Sequence, residues 1–191
     1  MKITLASTSK FKNNILDTVH IRHDQISPNT KEDSIQKDPY LYVKEIAKQK
    51  LDSVSSYDTD ILISLDTIVL IENQIIEKPK SIEEAKENLR NSSNKTTKVI
   101  TGIAMLNKTT NQEIIDYQET LVTFNEIAEE DIDFYIENEP DAMYASGFIV
   151  ETICSNFIKS INGSYYNILG VPVEKIYEIL QSWNIKLKNI T

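Results

Sequence analysis

Apolar positions along this chain keep two rhythms in alternation, short runs or every-second-residue patterns and longer stripes spaced by three and four. The first rhythm marks strands and the second marks helices with one face on a core. Residues 2–6 predict a first strand. Ser7-Thr8-Ser9 then supplies cap material for a helix with Phe11, Ile15, Leu16 and Val19 on its stripe. Asp38-Pro39 opens a second helix, with Val43, Ile46, Ala47, Leu51 and Val54 on one face. The β-branched run 61–71, the turn pair Glu72-Asn73 and the returning segment to Glu77 read as a hairpin that Pro79 stops. Ser81-Ile-Glu-Glu84 is a capping box for a helix through Leu89, and 98–106 and 113–124 are long strands joined by a polar turn. A helix around Ile132, Tyr135 and Ile136 follows, then short strands near 148–151 and 157–161. Val173, Ile176, Leu180 and Trp183 form the stripe of a last helix. Helix and strand signals alternating in this way predict an α/β architecture.

One ionisable residue, Asp66, interrupts the apolar run Ile61-Leu-Ile-Ser-Leu-Asp-Thr-Ile-Val-Leu-Ile71. A buried carboxylate costs several kcal/mol, on the order of 3 or more, unless it is paired, hydrogen-bonded or bound to a metal. The returning strand brings Glu77 and Lys78 close in sequence, and an acid and a lysine at the end of a sheet can hold a metal ion and a phosphate. All four glycines, Gly102, Gly147, Gly163 and Gly170, fall in the second half, each at a strand end or turn.

Composition narrows the field. With 191 residues and 40% hydrophobic content the chain can bury a real core, as one domain or as two lobes around one sheet. No apolar stretch reaches the roughly 18 residues of a membrane span, and residues 1–6 enter a strand without a signal-peptide core, so a cytoplasmic protein without a membrane partner is expected. A net charge of −9 argues against nucleic acid as a partner, since a phosphate backbone is met by a basic stripe. A small anion held by a few focused lysines remains compatible with that charge. The single Cys154 excludes an internal disulfide framework and reads as a small core residue. His20 and His23 could be a metal pair at i and i+3, but no carboxylate register completes it, and a polar helix end is the simpler reading.

Five motifs in order resemble the Maf family of nucleotide pyrophosphatases, over nearly the whole length. Ala6-Ser7-Thr8-Ser9-Lys10-Phe11-Lys12 is similar to its Ala-Ser-x-Ser-Pro-Arg-Arg turn. Ser64-Leu65-Asp66-Thr67-Ile68-Val69 and Glu77-Lys78-Pro79 are similar to Gly-Ala-Asp-Thr-Val-Val and Gly-Lys-Pro. Ala47-Lys-Gln-Lys50, Thr101-Gly102 and the run Gly163, Asn167, Gly170-Val-Pro172 complete the set. Departures stand at Lys10 and Lys12, where proline and the second arginine are usual, at Asn94 and Thr97 in place of glycine and histidine, and in one extra residue near Glu139-Pro140. Lysine at 10 and 12 keeps the positive charge but loses the planar fork of arginine.

The resemblance implies a single Maf-like domain over 1–191, with an elongated, mixed, twisted sheet flanked by helices and two lobes around a nucleotide cleft, as in the inosine-triphosphatase-like fold. It implies hydrolysis of a nucleoside triphosphate to the monophosphate and pyrophosphate with a divalent cation, Mg2+ or Mn2+, in a house-cleaning role. It also admits a homodimer, and the family's association with septum formation leaves a nucleotide-binding regulator of division as the rival class. Asp66 is the candidate base or metal ligand, and Glu32 the second metal carboxylate, with Asp33 as its alternative in the same loop. Ser7 and Ser9 at a helix mouth, with Lys12, Lys50 and Lys78, are candidates for phosphate. Their plainer readings are N-caps for the serines and a solvated hairpin end for Lys78.

Phe11, Thr67 and Glu151 are the candidates for base selection. An aromatic at 11 resembles the branch acting on 7-methyl-GTP, where a ring gains cation–π attraction from a methylated base and the Glu151 carboxylate complements its charge and donors. Thr67 after Asp66 instead resembles the dTTP and UTP branch, and Phe11 also falls on the apolar stripe of its helix. The expectation leans to 7-methyl-GTP, with dTTP and UTP as the alternative.

Overall fold

A computed structural model describes residues 1–76 and 78–190. Glu77, expected at the hairpin end, and Thr191 lie outside the described residues. The first elements are β1 (Ile3–Ala6), α1 (Lys10–Thr18), β2 (Asp24–Ile26) and α2 (Pro39–Ser53). The hairpin strands β3 (Ile61–Ile71) and β4 (Gln74–Ile76) precede α3 (Ile82–Ser92), and β5 (Thr96–Asn107) and β6 (Gln112–Phe124) follow it. The chain ends with α4 (Glu129–Asn138), β7 (Ile158–Asn162), the single turn α5 (Tyr165–Ile168) and α6 (Val173–Ser182). Seven strands among the described residues form one sheet in the order β2-β1-β3-β5-β6-β7, with β4 beside β3. The sheet is mixed: β1 runs parallel to β2 and β3, whereas β3 with β4 and β6 with β7 are antiparallel. No helix among the described residues is long and apolar enough to cross a membrane.

The chain divides into two compact units. The first comprises residues 1–67, 100–118 and 164–191. Alternation along its strands explains its layers. Ile3 and Leu5 of β1, Ile61, Ile63 and Leu65 of β3, and Ile103 and Met105 of β5 pack with Leu16 of α1 and Val173, Ile176, Ile179 and Leu180 of α6. The intervening residues Ala6, Leu62 and Ala104 pack with Ala47, Leu51 and Val54 from the α2 side. Helices therefore cover both faces, which is why β3 is apolar at nearly every position of this stretch. Capping starts the helices as expected: Ser9 accepts from the Lys12 amide, and Asp38 accepts from the amides of Tyr40 and Leu41, with Pro39 in the first turn.

The second unit comprises residues 68–99 and 119–163. Glu72 and Asn73 take left-handed φ values of 51° and 66°, as a two-residue hairpin turn demands, and pair Ile71 with Gln74. Ser81 caps α3 by accepting from the Glu84 amide. Ala85 and Leu89 of α3 are buried, as are Ile132, Tyr135 and Ile136 of α4. Arg90 clasps Glu129 and Glu83, and Lys86 pairs with Asp133, so charged partners tie α3 to α4. The expected strand near 148–151 does not form. Its amides bond locally, Phe148 to the Ala145 carbonyl and Ile149 to the Tyr135 hydroxyl, so none of these donors is left for a ladder. The structure adds β2, which the apolar pattern did not mark because its three residues are largely exposed.

Candidate functional site

In the first unit, Asp66 and Thr67 are consecutive in β3 and so face opposite sides of the sheet. Asp66 is buried and lies on the α2 side, where its Oδ1 accepts from the Lys50 ammonium at 2.7 Å. The same Nζ stands 3.0 Å from Glu32 Oε2. Lys50 and Asp66 are nearly sealed from solvent, whereas Glu32 is exposed along the rim. Burial alone would lower the Lys50 pKa, but Asp66 and then Glu32 outweigh it and raise it, so the side chain stands as an ammonium between two carboxylates. Glu32 reaches it from a loop position with φ of 56°. The neighbouring Asp33 instead uses its carbonyl oxygen to accept from Gln49 at 2.7 Å. Between the two loop acids left open by the sequence, it is Glu32 that joins Asp66.

Thr67 points the other way, and its Oγ1 lies 3.0 Å from Thr101 Oγ1. The turn after α5 closes over it. A Cβ at Gly170, whose φ is +79°, would stand 3.1 Å from Thr67 Oγ1 and 3.2 Å from Lys12 Cε, so a glycine suits this tight, left-handed position. Lys12 Nζ donates to the Leu65 carbonyl oxygen at 2.9 Å, beside the Asp66 peptide. Lys12 and Lys50 thus place two ammonium groups on the same few residues of β3, one through the side chain of Asp66 and one through its neighbour's backbone.

Ser7 and Ser9 fold the β1–α1 turn on itself. Ser7 Oγ accepts from the Ser9 amide at 3.1 Å, Ser9 Oγ accepts from the Lys12 amide at 3.3 Å, and the Ser7 amide bonds the Ile26 carbonyl oxygen at 3.0 Å. These amides are committed within the protein, and each serine hydroxyl that accepts from one keeps a proton of its own to donate. Phe11 is 43% exposed and is not core, despite its place on the apolar stripe. Lys78 and Glu151 belong to the second unit, and both are exposed.

His23 has its ring buried, with Nδ1 2.8 Å from the Ile21 carbonyl oxygen and Nε2 2.9 Å from Asn13 Oδ1, which makes it a fixture of the α1–β2 connection. Among the described residues no three His, Cys, Asp or Glu side chains form a metal-binding group. Glu32 and Asp66 are, however, gathered about one cation at hydrogen-bond distances, and two carboxylates with water and substrate phosphates suit a hard divalent ion. Sequence reasoning had placed Thr101 in the Thr101-Gly102 motif without giving it a role at the site. Its signal was the hydroxyl in an otherwise apolar stretch, Val99-Ile-Thr-Gly-Ile-Ala104.

Comparison with known proteins gives the family of the chain. The family described as Maf-like protein matches residues 2–183. A dTTP/UTP pyrophosphatase of Thermosipho melanesiensis is 32% identical over 94% of this chain and 97% of its own length. One from Bacillus cereus strain AH187 is 34% identical over 96% of both. Among solved structures, a HAM1 protein from Coxiella burnetii aligns over 95% of this chain and 99% of its own with a TM-score of 0.50 at 12% identity, a likeness of fold alone. With the family matched over residues 2–183 and relatives above 30% identical over most of both chains, the chain belongs to the Maf family.

Proposed function

We propose that this chain, a nucleoside-triphosphate pyrophosphatase by family, acts on dTTP and UTP, splitting the bond between the α and β phosphates to give the monophosphate and pyrophosphate. The observation that carries the chemistry is the Glu32–Lys50–Asp66 cluster, two carboxylates held around one ammonium at the end of a buried strand segment. Asp66 is the group that takes the proton of the attacking water, because its carboxylate is fixed by the Lys50 contact and has a second oxygen to accept with. Lys50 and Lys12 neutralise charge on the phosphates, and the hydroxyls of Ser7 and Ser9 donate to their oxygens. Mg2+ or Mn2+ fits Glu32 and Asp66 as oxygen donors, and when bound it would act as a Lewis acid on phosphate oxygens.

The choice of pyrimidine rests on the relatives, which are named dTTP/UTP pyrophosphatases at 30–34% identity. A second reading, 7-methyl-GTP, is favoured by the exposed Phe11 ring, which is available to stack on a cationic base. Purified protein with Mg2+ and a panel of dTTP, UTP, CTP, GTP, ITP and 7-methyl-GTP tests both. Pyrophosphate released fastest from dTTP and UTP supports the first reading, and fastest from 7-methyl-GTP the second. Nucleotide binding without turnover would replace both with the regulatory binding protein.

A further inference from the structure

The α2 helix is set over the sheet by two contacts that involve none of the groups assigned above. In β5, Gly102 lies so close beneath the helix that a Cβ there would stand 2.1 Å from the Val43 carbonyl oxygen and 2.8 Å from the Lys44 nitrogen. One helical turn further on, the hydroxyl of Ser64, fully buried in β3, donates to the Ala47 carbonyl oxygen. A carbonyl has two lone pairs and the helix bond uses one, so the hydroxyl fills a vacant direction. Positions 43, 47 and 50 are spaced as i, i+4 and i+7 and share one face of α2. Positions 64 and 66 are spaced as i and i+2 and share one face of β3.

Both spacings lead to the same place. Gly102 limits how near the helix comes, and the Ser64 bond ties the Ala47 turn of the helix to one point on the strand. The next residue on the helix stripe, Lys50, then meets the next residue on the strand face, Asp66, at 2.7 Å. Simple packing gives no reason for a hydroxyl at a position with no solvent access, since a buried hydroxyl costs free energy unless it is bonded. The family pattern to which Ser64 corresponds has glycine there. The bond to Ala47 gives this serine a role that an apolar residue could not fill.

We propose that Ser64 is a positioning residue for the reaction, acting through the Ala47 carbonyl on the placement of Lys50 against Asp66, with Gly102 as the close-packed stop of the same helix. The proposal rests on the reading of Lys50 and Asp66 as reacting groups. Ser64→Ala removes one atom and adds none, so the fold survives it, whereas Gly102→Ala forces the helix outward.

The test is a double-mutant cycle of Ser64→Ala with Lys50→Met, read in kcat/KM for the best nucleotide, together with the 1H–15N signal of the Lys50 ammonium, assigned by its loss in Lys50→Met. Ser64→Ala alone should lower kcat/KM by about three- to tenfold, the scale of one hydrogen bond, and should cost nothing further once Lys50 is gone. It should also shift or broaden the Lys50 ammonium signal. An undiminished kcat/KM in Ser64→Ala, or the same fractional loss with and without Lys50, overturns the proposal, as does an unchanged ammonium signal. If the unsubstituted protein hydrolyses none of the nucleotides, the pyrophosphatase reading fails by itself. The ammonium signal then still decides whether Ser64 places Lys50.

Discussion

Asp66 combines burial with a close ammonium partner in Lys50, and that combination makes it the most informative residue. Asp66→Asn keeps the shape but removes both the base and half of the ion pair. Turnover should fall by at least about 100-fold, in line with the loss of a positioned proton acceptor, while nucleotide binding measured by calorimetry persists. Normal turnover in that variant would remove Asp66 from the chemistry. Lys50 is coupled to stability as well. Because its pKa is raised in the folded state, mainly by Asp66 acting against burial, the contribution of the pair is present below the ordinary lysine range near pH 10.5 and is lost as pH rises through the higher folded value. Lys50→Met, which strands a buried carboxylate, should cost about 3 kcal/mol at pH 7. Melting curves should show the gap to the unsubstituted protein closing only above about pH 10.5. A gap already closed at pH 7 would mean that the pair adds nothing. Asp66 was legible in the sequence because a lone acid in an apolar run is conspicuous. Its contact with Lys50, sixteen positions away on another element, was not, since only the packing of α2 on β3 brings the two together.

Helix starts were the most legible elements, because a cap is a local device: an oxygen acceptor meets amides two or three residues on. Asp38 shows this directly, accepting from Tyr40 at 2.8 Å and Leu41 at 3.1 Å. Asp38→Ala should destabilise the protein by about 1 kcal/mol without altering the α2 stripe, seen as a lower Tm with unchanged far-ultraviolet circular dichroism. No change in Tm would show the cap to be redundant beside Pro39. Strands were legible where a core reads them out, as in β3, and not where it does not. β2 carries no apolar pattern and exists through its parallel pairing with β1, a contact invisible in its own three residues. The apolar run at 148–151 misled for the opposite reason. Ile149 and Val150 are buried, but Ser146 and Gly147 take left-handed φ values of 54° and 91° and turn the chain, and the Tyr135 hydroxyl captures the Ile149 amide. Hydrophobic content marks what is buried, and the fate of the amides decides whether the buried segment is a strand.

At the scale of the whole molecule, Cys154 reports on folding. It is fully buried, and its thiol pKa is pushed up to about 12, first by burial. A thiol reagent at pH 8 should therefore label it only when the surrounding structure opens, at a rate that follows urea in parallel with unfolding; fast labelling of the native protein would contradict its burial. The strongly acidic overall charge coexists with Lys12 and Lys50 placed on adjacent residues in the middle of β3, which is the difference between net charge and local field. The sequence by itself determined the α/β class, the helix caps, the hairpin turn, the identity of the family and the one acid that packing could not explain, because each of these is written in local spacing or in an ordered set of motifs. Only the tertiary structure decided that Glu32, not Asp33, joins Asp66, that Phe11 is exposed, that Thr101 stands by Thr67, and that Ser64 and Gly102 hold α2 in register. These depend on which residues from distant stretches meet across the faces of the sheet. Burial and hydrogen bonding set those meetings jointly for the whole chain, and no single segment carries them alone.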